Sequence, residues 1–289
     1  MVPRVSIVIP TYNRAHVLPR AIDSVLSQTY PNLELLIVDD GSTDNTQQVL
    51  EKYIVDRQVK VLKHEKNRGV TAAKNTGLDN LGPDTKYFSL LDSDDVLRPE
   101  AVALLVDVFE NLGNTVSQVF GWCADMHTGV MTGQFAGSGS YVNFEDALCC
   151  RFSGEFWQIV SMDFLEGRRF DERAAGGEGT LWYALLRRAP GYVVPEVVRY
   201  YDRSGKDRVS LDSYDSETSK RKMWAYLACW NMYHEDLLRH CPLQFALIGL
   251  EAAKWASLAG NRKTSIKLLY ETAAHAPMTR WINILMQTL

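Results

Sequence analysis

The sequence predicts an α/β protein with a mostly parallel central sheet flanked by helices. Two observations lead to this fold class. Short apolar runs rich in Val and Ile alternate with amphipathic stretches in the first third of the chain, and the connections between them are short. Such alternation covers both faces of a sheet with helices and places ligands at the carboxyl ends of the strands. With 289 residues, 46% of them hydrophobic, the chain can bury one large core or two unequal ones.

Four strands and four helices are predicted in the first 112 residues. The strands occupy 5–9, 33–38, 59–62 and 87–91, which are short, continuous and rich in β-branched or aromatic residues. The helices occupy 15–28, 43–53, roughly 71–81, and a stretch that opens at Pro99 and Glu100 with apolar residues at helical spacing.

The pattern becomes less regular after residue 114 and then turns helical. Strands are expected at 116–124 and 192–201, with four glycines between residues 129 and 139 in turns or a mobile loop. From residue 216 onward Met223, Leu227 and Trp230 recur on one helical stripe. The predicted division is a sheet domain over 1–212 and a C-terminal helical region over 213–289, attached as a small appendage.

Charge, hydropathy and cysteine content narrow the class of protein. The net charge of −4 argues against a nucleic-acid partner. No segment offers the roughly 20 uninterrupted apolar residues of a spanning helix, and the first residues lack the pattern of a secretion signal. Five cysteines, including the adjacent Cys149 and Cys150, fit neither a disulfide framework nor a zinc site. We expect a cytoplasmic location in a reducing compartment and no structural metal.

Basic charge is concentrated in the C-terminal region. From Glu217 onward there are nine Lys or Arg and five Asp or Glu, which gives +4 and leaves −8 for the preceding residues. A basic helical end that carries Trp255, Trp281 and Ile282 can rest on an anionic membrane surface or pack its aromatic side chains on the body of the protein. Peripheral contact at the inner face of the membrane is therefore one of two expectations for these helices.

Polar residues follow the first predicted strand, where other nucleotide-binding folds place glycines. No glycine follows that strand and Gly-x-x-x-x-Gly-Lys-Ser/Thr does not occur, which excludes the usual dinucleotide fingerprint and the P-loop. Pro10-Thr11-Tyr12-Asn13-Arg14 instead offers a hydroxyl, an aromatic face, an amide and a guanidinium, a set that suits a base and a phosphate. A capped helix start with a surface tyrosine explains the segment equally well.

Acidic residues follow two further strands. Asp39 and Asp40 end the second strand, where a carboxylate can accept a ring N–H or a ribose hydroxyl; an N-cap for the next helix would explain one of the two. Asp92, Asp94 and Asp95 stand within four residues after an apolar run, and they repel one another unless a cation compensates their charge. Hard oxygen ligands favour Mg²⁺ or Mn²⁺ over zinc.

Four motifs follow one another in the first 112 residues. They are Val-Ser-Ile-Val-Ile-Pro-Thr-Tyr-Asn-Arg from residue 5, Asp-Asp-Gly-Ser-Thr-Asp from residue 39, Asn67-Arg68-Gly69 with Ala73-Lys74-Asn75-Thr76-Gly77, and Leu91-Asp92-Ser93-Asp94-Asp95. In this order and at these spacings they resemble family 2 glycosyltransferases of the GT-A fold. The resemblance implies a Rossmann-like sheet, an inverting transferase, a nucleotide-sugar donor and a divalent cation. It divides the sheet domain into a donor half at 1–112 and an acceptor half at 113–212.

The same resemblance implies roles for residues of the donor half. Thr11, Tyr12 and Asp40 would hold the base, with Tyr12 stacked on it and Asp40 on its N–H. Arg68 and Lys74 would lie near the donor phosphates or sugar. The complete expected donor site is Pro10, Thr11, Tyr12, Arg14, Asp40, Arg68, Lys74, Asp92 and Ser93, with Asp92 on the ribose or donor sugar and Asp94 on Mg²⁺ or Mn²⁺.

The acceptor half carries a candidate general base. Inverting transfer needs a group, usually a carboxylate, that takes the proton of the attacking hydroxyl opposite the leaving group. Residues 176–182, Gly-Gly-Glu-Gly-Thr-Leu-Trp, resemble the family segment that carries this base and make Glu178 the candidate. Gly179 stands where many members have Asp. An acid that the macrodipole favours at a helix start is the competing explanation.

A second segment of the acceptor half matches the family loosely. Residues 200–210 correspond to a segment that often includes a histidine near the metal or diphosphate, and no histidine occurs here. Arg203, Lys206 and Arg208 can instead neutralise the departing diphosphate from a loop that closes over the donor. A solvated charged loop is an equal alternative.

The function expected from the sequence is metal-assisted, inverting transfer of a sugar from a nucleotide-sugar to an acceptor hydroxyl. UDP is the leaving group that the resemblance favours, and a glycan, a lipid-linked glycan or a peptide is the acceptor, in the assembly of a polysaccharide, glycolipid or glycopeptide. Two alternatives stay open. A sugar nucleotidyltransferase would retain the nucleotide on its product and release pyrophosphate. The second alternative is a non-catalytic nucleotide-sugar binding protein, which Gly179 and the absence of a histidine in residues 200–210 would fit.

Overall fold

A central mixed sheet with helices on both faces forms the core of the computed structural model, which describes residues 2–137, 139–174, 177–204 and 214–275. The strands are β1 (Arg4–Thr11), β2 (Leu33–Asp39), β3 (Val59–Lys63), β4 (Thr85–Leu90), β5 (Val96–Leu97), β6 (Gln118–Asp125), β7 (Gly133–Phe135), β8 (Tyr141–Val142), β9 (Phe152–Gly154), β10 (Phe156–Ser161) and β11 (Gly191–Tyr201). The helices are α1 (Leu18–Leu26), α2 (Thr46–Leu50), α3 (Val70–Asp79), α4 (Ala101–Leu112), α5 (Phe144–Leu148), α6 (Met162–Leu165), α7 (Gly179–Leu186), α8 (Ser216–His240), α9 (Pro242–Leu258) and α10 (Arg262–His275), with a 3₁₀ turn at Gly113–Thr115.

The main sheet has the order β3-β2-β1-β4-β10-β6-β11-β5, and β8 pairs with β11. The α/β fold predicted from the sequence is confirmed. Strands β1 to β4 are parallel, as is β6 with β11, whereas β10, β5 and β8 run antiparallel to their neighbours. The regular βα alternation of residues 4–90 therefore gives a parallel sheet, whereas the short β5 of the donor half and the strands β8 and β10 of the second half are antiparallel to their neighbours.

The continuous apolar runs of β1 and β2 are needed because both faces of the sheet are covered. Ile7 and Ile37 point to the face that α1 and α4 cover. Val8 and Leu36 point to the opposite face and pack with Ala73 of α3. Successive residues of a strand face opposite sides, so both sets of side chains are buried, and the polar Ser6 among them donates a hydrogen bond to Glu34 Oε2 at 2.6 Å.

Helix α3 approaches the sheet closely at Gly77. A Cβ atom added there would lie 2.3 Å from Val8 Cγ1. We expect Gly77→Ala to lower the free energy of unfolding by about 1–3 kcal/mol, because the strand or the helix must move. Gly179→Ala is the matched control, since its Cβ would meet Tyr183 at 3.6 Å. Urea unfolding of both variants tests this, and equal midpoints would contradict the close approach.

Helix α2 is shorter than the predicted 43–53. Asn13 Oδ1 accepts hydrogen bonds from the backbone N–H groups of Thr43, at 2.8 Å, and Asp44, at 3.3 Å. Asp44 Oδ1 in turn accepts a bond from Thr46 N at 3.0 Å, so the helix begins only at Thr46. Asn13 has φ +54°, a left-handed conformation that asparagine tolerates. The loops after β1 and β2 are thereby tied together.

The glycines between 129 and 139 do not all lie in turns. Gly133 begins β7, which pairs antiparallel with β9, and a Cβ there would lie 2.6 Å from the Phe156 ring. The prediction of a turn or mobile loop is wrong at this position. Glycine is used there for a close approach of an aromatic ring rather than for backbone freedom.

Helices α8, α9 and α10 form a helical region with its own apolar cluster. The predicted stripe of Met223, Leu227 and Trp230 is buried, and Leu148 of α5 joins the cluster to the sheet domain. Trp255 is 2% exposed, so it packs inside; Trp281 and Ile282 lie outside the described residues. Within the parts of the chain that are described, no helix has the length and apolar character needed to cross a membrane.

One disulfide corrects the expectation from cysteine counting. Cys149 at the end of α5 is bonded to Cys241 between α8 and α9, 92 residues away in sequence. The packing of α5 against the helical region brings the two together, and spacing patterns cannot detect such a pair. Cys123, Cys150 and Cys229 are free thiols.

Candidate active site

A cleft of about 1230 Å³ opens where β1, β2 and β4 end. Its volume exceeds what a drug-sized ligand fills, which leaves room for two substrates. The lining comes from both halves of the sheet domain and from the helical region. Ten residues predicted for the site are among those that line it: Pro10, Thr11, Tyr12, Arg14, Asp40, Lys74, Asp92, Ser93, Asp94 and Glu178.

The loop after β1 presents a hydroxyl and an aromatic ring beside the cleft. Thr11 Oγ1 is buried and has no hydrogen-bond partner within the described residues. Tyr12 is 41% exposed, although large aromatic side chains are usually covered in a folded domain. A buried hydroxyl without an internal partner together with an open ring face is what a heterocyclic base requires.

Asp40 is buried and holds the loop that leads into α3. Its Oδ1 accepts a bond from Arg68 N at 2.9 Å and lies 2.6 Å from His64 Nδ1, and its Oδ2 accepts a bond from Gly69 N at 2.7 Å. His64 Nε2 lies 2.9 Å from Thr76 Oγ1. Both carboxylate oxygens of Asp40 therefore already accept hydrogen bonds from the protein, and His64 helps to fix the position of this carboxylate.

The acidic residues after β4 face basic side chains of the protein. Asp94 Oδ2 accepts a bond from Arg14 Nη1 at 2.9 Å, and Asp95 Oδ2 lies 3.0 Å from Arg199 Nη1. Arg14 and Arg199 therefore supply part of the positive charge that the sequence analysis assigned to a metal alone. Burial and the charge of Asp92 nevertheless raise the pKa of Asp94 above its ordinary value, against the opposing effect of Arg14. The charged form of Asp94 is therefore disfavoured by burial and by Asp92, despite the contact with Arg14.

Lys74 connects the two halves of the site. Its Nζ donates to Glu178 Oε1 at 3.1 Å and lies 3.9 Å from Asp92 Oδ1. Lys74 is 9% exposed; burial by itself lowers the pKa of this ammonium, but Glu178 and Asp92 raise it above its ordinary value. Glu178 directly precedes α7, yet its side chain makes no capping hydrogen bond. The candidate base therefore turns to the ammonium of Lys74 instead of capping its own helix.

Sequence reasoning missed an arginine and two acids in the cleft. Arg199 is 5% exposed and donates through Nη2 to Glu155 Oε2 at 2.9 Å. Asp202 Oδ2 accepts a bond from Arg20 Nη2 at 2.6 Å. A signal was present for one of them, because an arginine inside the apolar run of β11 needs a buried partner. Glu155 and Asp202 carry no such pattern.

Two of the basic residues predicted for the site, Arg68 and Arg203, do not line the cleft. The Arg68 side chain is 48% exposed and lies 3.5 Å from Glu172 Oε2. Arg203 is exposed. Lys206 and Arg208 lie outside the described residues. Only the backbone of Arg68 contributes to the geometry above, through its bond to Asp40.

The C-terminal helical region, expected as an appendage, supplies one wall of the cleft. The first turns of α8 line it with Asp215, Thr218, Arg221, Lys222, Ala225 and Tyr226. A Cβ at Gly177 would lie 3.2 Å from Ala225 Cβ, so α8 packs directly against the segment that carries Glu178.

Comparison with known proteins gives one family. The model of glycosyl transferase family 2 matches residues 6–148. The GalNAc(5)-diNAcBac-PP-undecaprenol beta-1,3-glucosyltransferase of Campylobacter jejuni is 29% identical over 284 residues, which cover 93% of this chain and 88% of the relative. Of further curated relatives, this chain spans only 16 to 51% of their length.

Solved structures with the same fold are more distant in sequence. S. aureus TarS 1-349 in complex with UDP-GlcNAc has a TM-score of 0.69 at 19% identity, over 95% of this chain and 82% of that one. The mannosyltransferase PcManGT from Pyrobaculum calidifontis, in complex with GDP-Man and Mn²⁺, has a TM-score of 0.57 at 18% identity, and the match covers 100% of this chain and 85% of that one. With the motifs, the family model and the fold in agreement, the chain belongs to the family 2 glycosyltransferases and has the GT-A fold.

Proposed function

We propose that the protein transfers a sugar from a UDP-sugar to an acceptor hydroxyl, with inversion at the anomeric carbon and assistance from a divalent cation. The observation that carries the proposal is the 3.1 Å contact between Lys74 and Glu178, because it sets a candidate base beside the acidic segment of the donor half. The family assignment sets aside the nucleotidyltransferase alternative.

UDP is the proposed carrier of the sugar. The hydroxyl of Thr11 and the open ring of Tyr12 suit a base, and the TarS complex contains UDP-GlcNAc. The PcManGT complex contains GDP-Man, so the same fold also accommodates a purine nucleotide. The choice between the two nucleotides is therefore the first point to measure.

Mg²⁺ or Mn²⁺ is the proposed cofactor, and the residues present fit it. Asp92 and Asp94 offer hard oxygen ligands. Burial and Asp92 raise the pKa of Asp94, and a cation beside it would offset this effect. Among the described residues no three His, Cys, Asp or Glu side chains gather in a metal-binding group, so Asp94 and Asp92 would hold the cation together with the donor diphosphate. A bound cation would neutralise charge on that diphosphate.

Glu178 is the proposed general base. Its carboxylate takes the proton of the attacking hydroxyl while the hydroxyl oxygen forms a bond to the anomeric carbon. The bond from that carbon to the diphosphate breaks, and its electron pair stays with UDP. The hydrogen bond from Lys74 fixes the direction of the Glu178 side chain. Attack from the side opposite the leaving group inverts the configuration.

A glycan or lipid-linked glycan is the proposed acceptor, with the protein at the cytoplasmic face of a membrane. The C. jejuni relative is named for an acceptor linked to PP-undecaprenol. The cleft is larger than a drug-sized ligand needs, and nine Lys or Arg follow residue 217. Contact with the membrane through the basic C-terminal helices belongs to this proposal.

The test is a calorimetric titration of UDP, GDP and dTDP with and without Mn²⁺. We expect UDP to bind tightly only with the metal, and Asp94→Asn to weaken this binding by about a hundredfold or more, because a metal ligand is lost. Asp107→Asn, on the exposed side of α4, is the matched control. Preference for GDP would correct the donor, and failure of every nucleotide to bind would overturn the donor site.

A further inference from the structure

Helix α10 carries its large apolar side chains on the outside. Ile266 is 68% exposed and Tyr270 is 77% exposed, and Leu269 is 44% exposed. The buried positions of this helix are Ser265, Leu268 and Thr272. Helices at the surface of a domain normally turn the apolar face inward. In α10 the large Ile266 and Tyr270 face solvent, while the small Ser265 and Thr272 are buried.

The contact with α9 explains why the inner face is small. A Cβ at Gly249 of α9 would lie 2.2 Å from Thr272 Oγ1, so the two helices meet without space for a larger side chain. Ala252, Ala253 and Ala256 continue the small-residue face of α9. Ile266 and Tyr270 therefore cannot enter the α9 contact and need another environment to leave water.

Basic residues accompany the exposed apolar ones. Lys263, Ile266, Lys267 and Tyr270 follow the spacing i, i+3, i+4, i+7 and so form one stripe, which we name the α10 face. All four are exposed. The helix has three basic residues and one acid, and that acid, Glu271, lies 3.6 Å from Lys267. The α10 face is therefore both apolar and positively charged.

We propose that the α10 face is a docking surface for an anionic lipid bilayer. Ile266 and Tyr270 enter the boundary between head groups and acyl chains, while Lys263 and Lys267 contact lipid phosphates. Charge complementarity selects this partner, since lipid phosphates bring anions to Lys263 and Lys267, whereas a neutral apolar partner would bring none and would leave Lys267 with Glu271, 3.6 Å away. The inference rests on the proposed membrane contact and deepens it: the buried Trp255 does not take part, and α10 does.

Vesicle sedimentation with the full chain tests the proposal. We expect binding to phosphatidylcholine vesicles that contain phosphatidylglycerol and much weaker binding to pure phosphatidylcholine. Ile266→Gln with Tyr270→Gln, and separately Lys263→Gln with Lys267→Gln, should each lower the partition coefficient by about tenfold or more. All four side chains are exposed, so the fold should be kept, and far-UV circular dichroism checks this.

Matched controls come from the far end of the sheet domain. Ile54→Gln with Val55→Gln removes an equally exposed apolar pair, and Lys52→Gln with Arg57→Gln removes an exposed basic pair; both should bind like wild type. Equal binding of wild type and the α10 variants, self-association that only the α10 variants lose, or binding to neither vesicle would each overturn the inference. UDP titration of the same proteins distinguishes failure of the α10 proposal from failure of the proposed function, because it measures nucleotide binding at the donor site whether or not lipid binds.

Discussion

Glu178→Gln is expected to lower kcat for sugar transfer by about a thousandfold and to leave UDP affinity nearly unchanged. Glutamine has the size of glutamate and can still accept a hydrogen bond from Lys74 through its amide oxygen, but it cannot take a proton from the acceptor hydroxyl. Initial rates with saturating donor, together with UDP titration, measure the two quantities separately.

Glu217→Gln is the control, because Glu217 is another carboxylate that lines the cleft. We expect it to keep transfer within about threefold of wild type. If Glu178→Gln retains full transfer, Glu178 is not the base, and Glu155 is the next carboxylate of the cleft to test. If neither wild type nor variant transfers sugar or hydrolyses the donor while UDP binds, the binding-only alternative holds.

Gly179→Asp separates two positions for the base. A Cβ at Gly179 would meet Tyr183 at 3.6 Å, an ordinary contact, so the first side-chain atom of an aspartate meets no clash there. Many members of the family have Asp at this position, whereas this chain has Gly179 there and an acid, Glu178, one residue earlier. Transfer that returns in the double variant Glu178→Gln with Gly179→Asp would mean that the cleft accepts a base at either position.

The donor half was predictable because its chemistry is local in sequence. Asp40 and Asp94 follow apolar runs directly, and the carboxyl ends of parallel strands meet at one edge of the sheet. Nine of the residues predicted for the donor half accordingly line one cleft. The bounds of α2 were less predictable, since they depend on Asn13, a residue of another loop.

The contacts across the cleft were not predictable, since they join residues far apart in the chain. Lys74 and Glu178 are separated by 104 positions, and Arg199 reaches Asp95 from the far end of β11. The acidic residues after β4 suggest a metal when only their neighbours in sequence are considered, whereas Arg14 and Arg199 supply part of the positive charge from distant segments. The wall formed by α8 was unpredictable for the same reason. An apolar stripe indicates which side of a helix is buried, but it does not indicate which part of the protein that side contacts.

Lys74→Met is expected to lower kcat/KM for transfer by about a hundredfold. Methionine fills most of the lysine volume, so the packing of α3 is kept, but the ammonium is lost from between two carboxylates. Glu178 is then no longer held in direction, and it faces Asp92 without a cation between them. The family resemblance also implies a contact of Lys74 with the donor phosphates or sugar, so UDP affinity should fall as well.

Lys74→Arg is the matched control for charge. It keeps the cation and should retain more transfer than Lys74→Met, although the planar guanidinium does not reproduce the geometry of a buried ammonium. A methionine variant that transfers sugar as fast as wild type would show that Glu178 needs no partner. Loss of UDP affinity alone, with kcat unchanged at saturating donor, would confine Lys74 to the donor site and remove its role in orienting the base. A fall in kcat at saturating donor would instead show that Lys74 links the two halves of the cleft. Among the contacts described above, Lys74 alone joins the candidate base Glu178 to the acidic segment after β4.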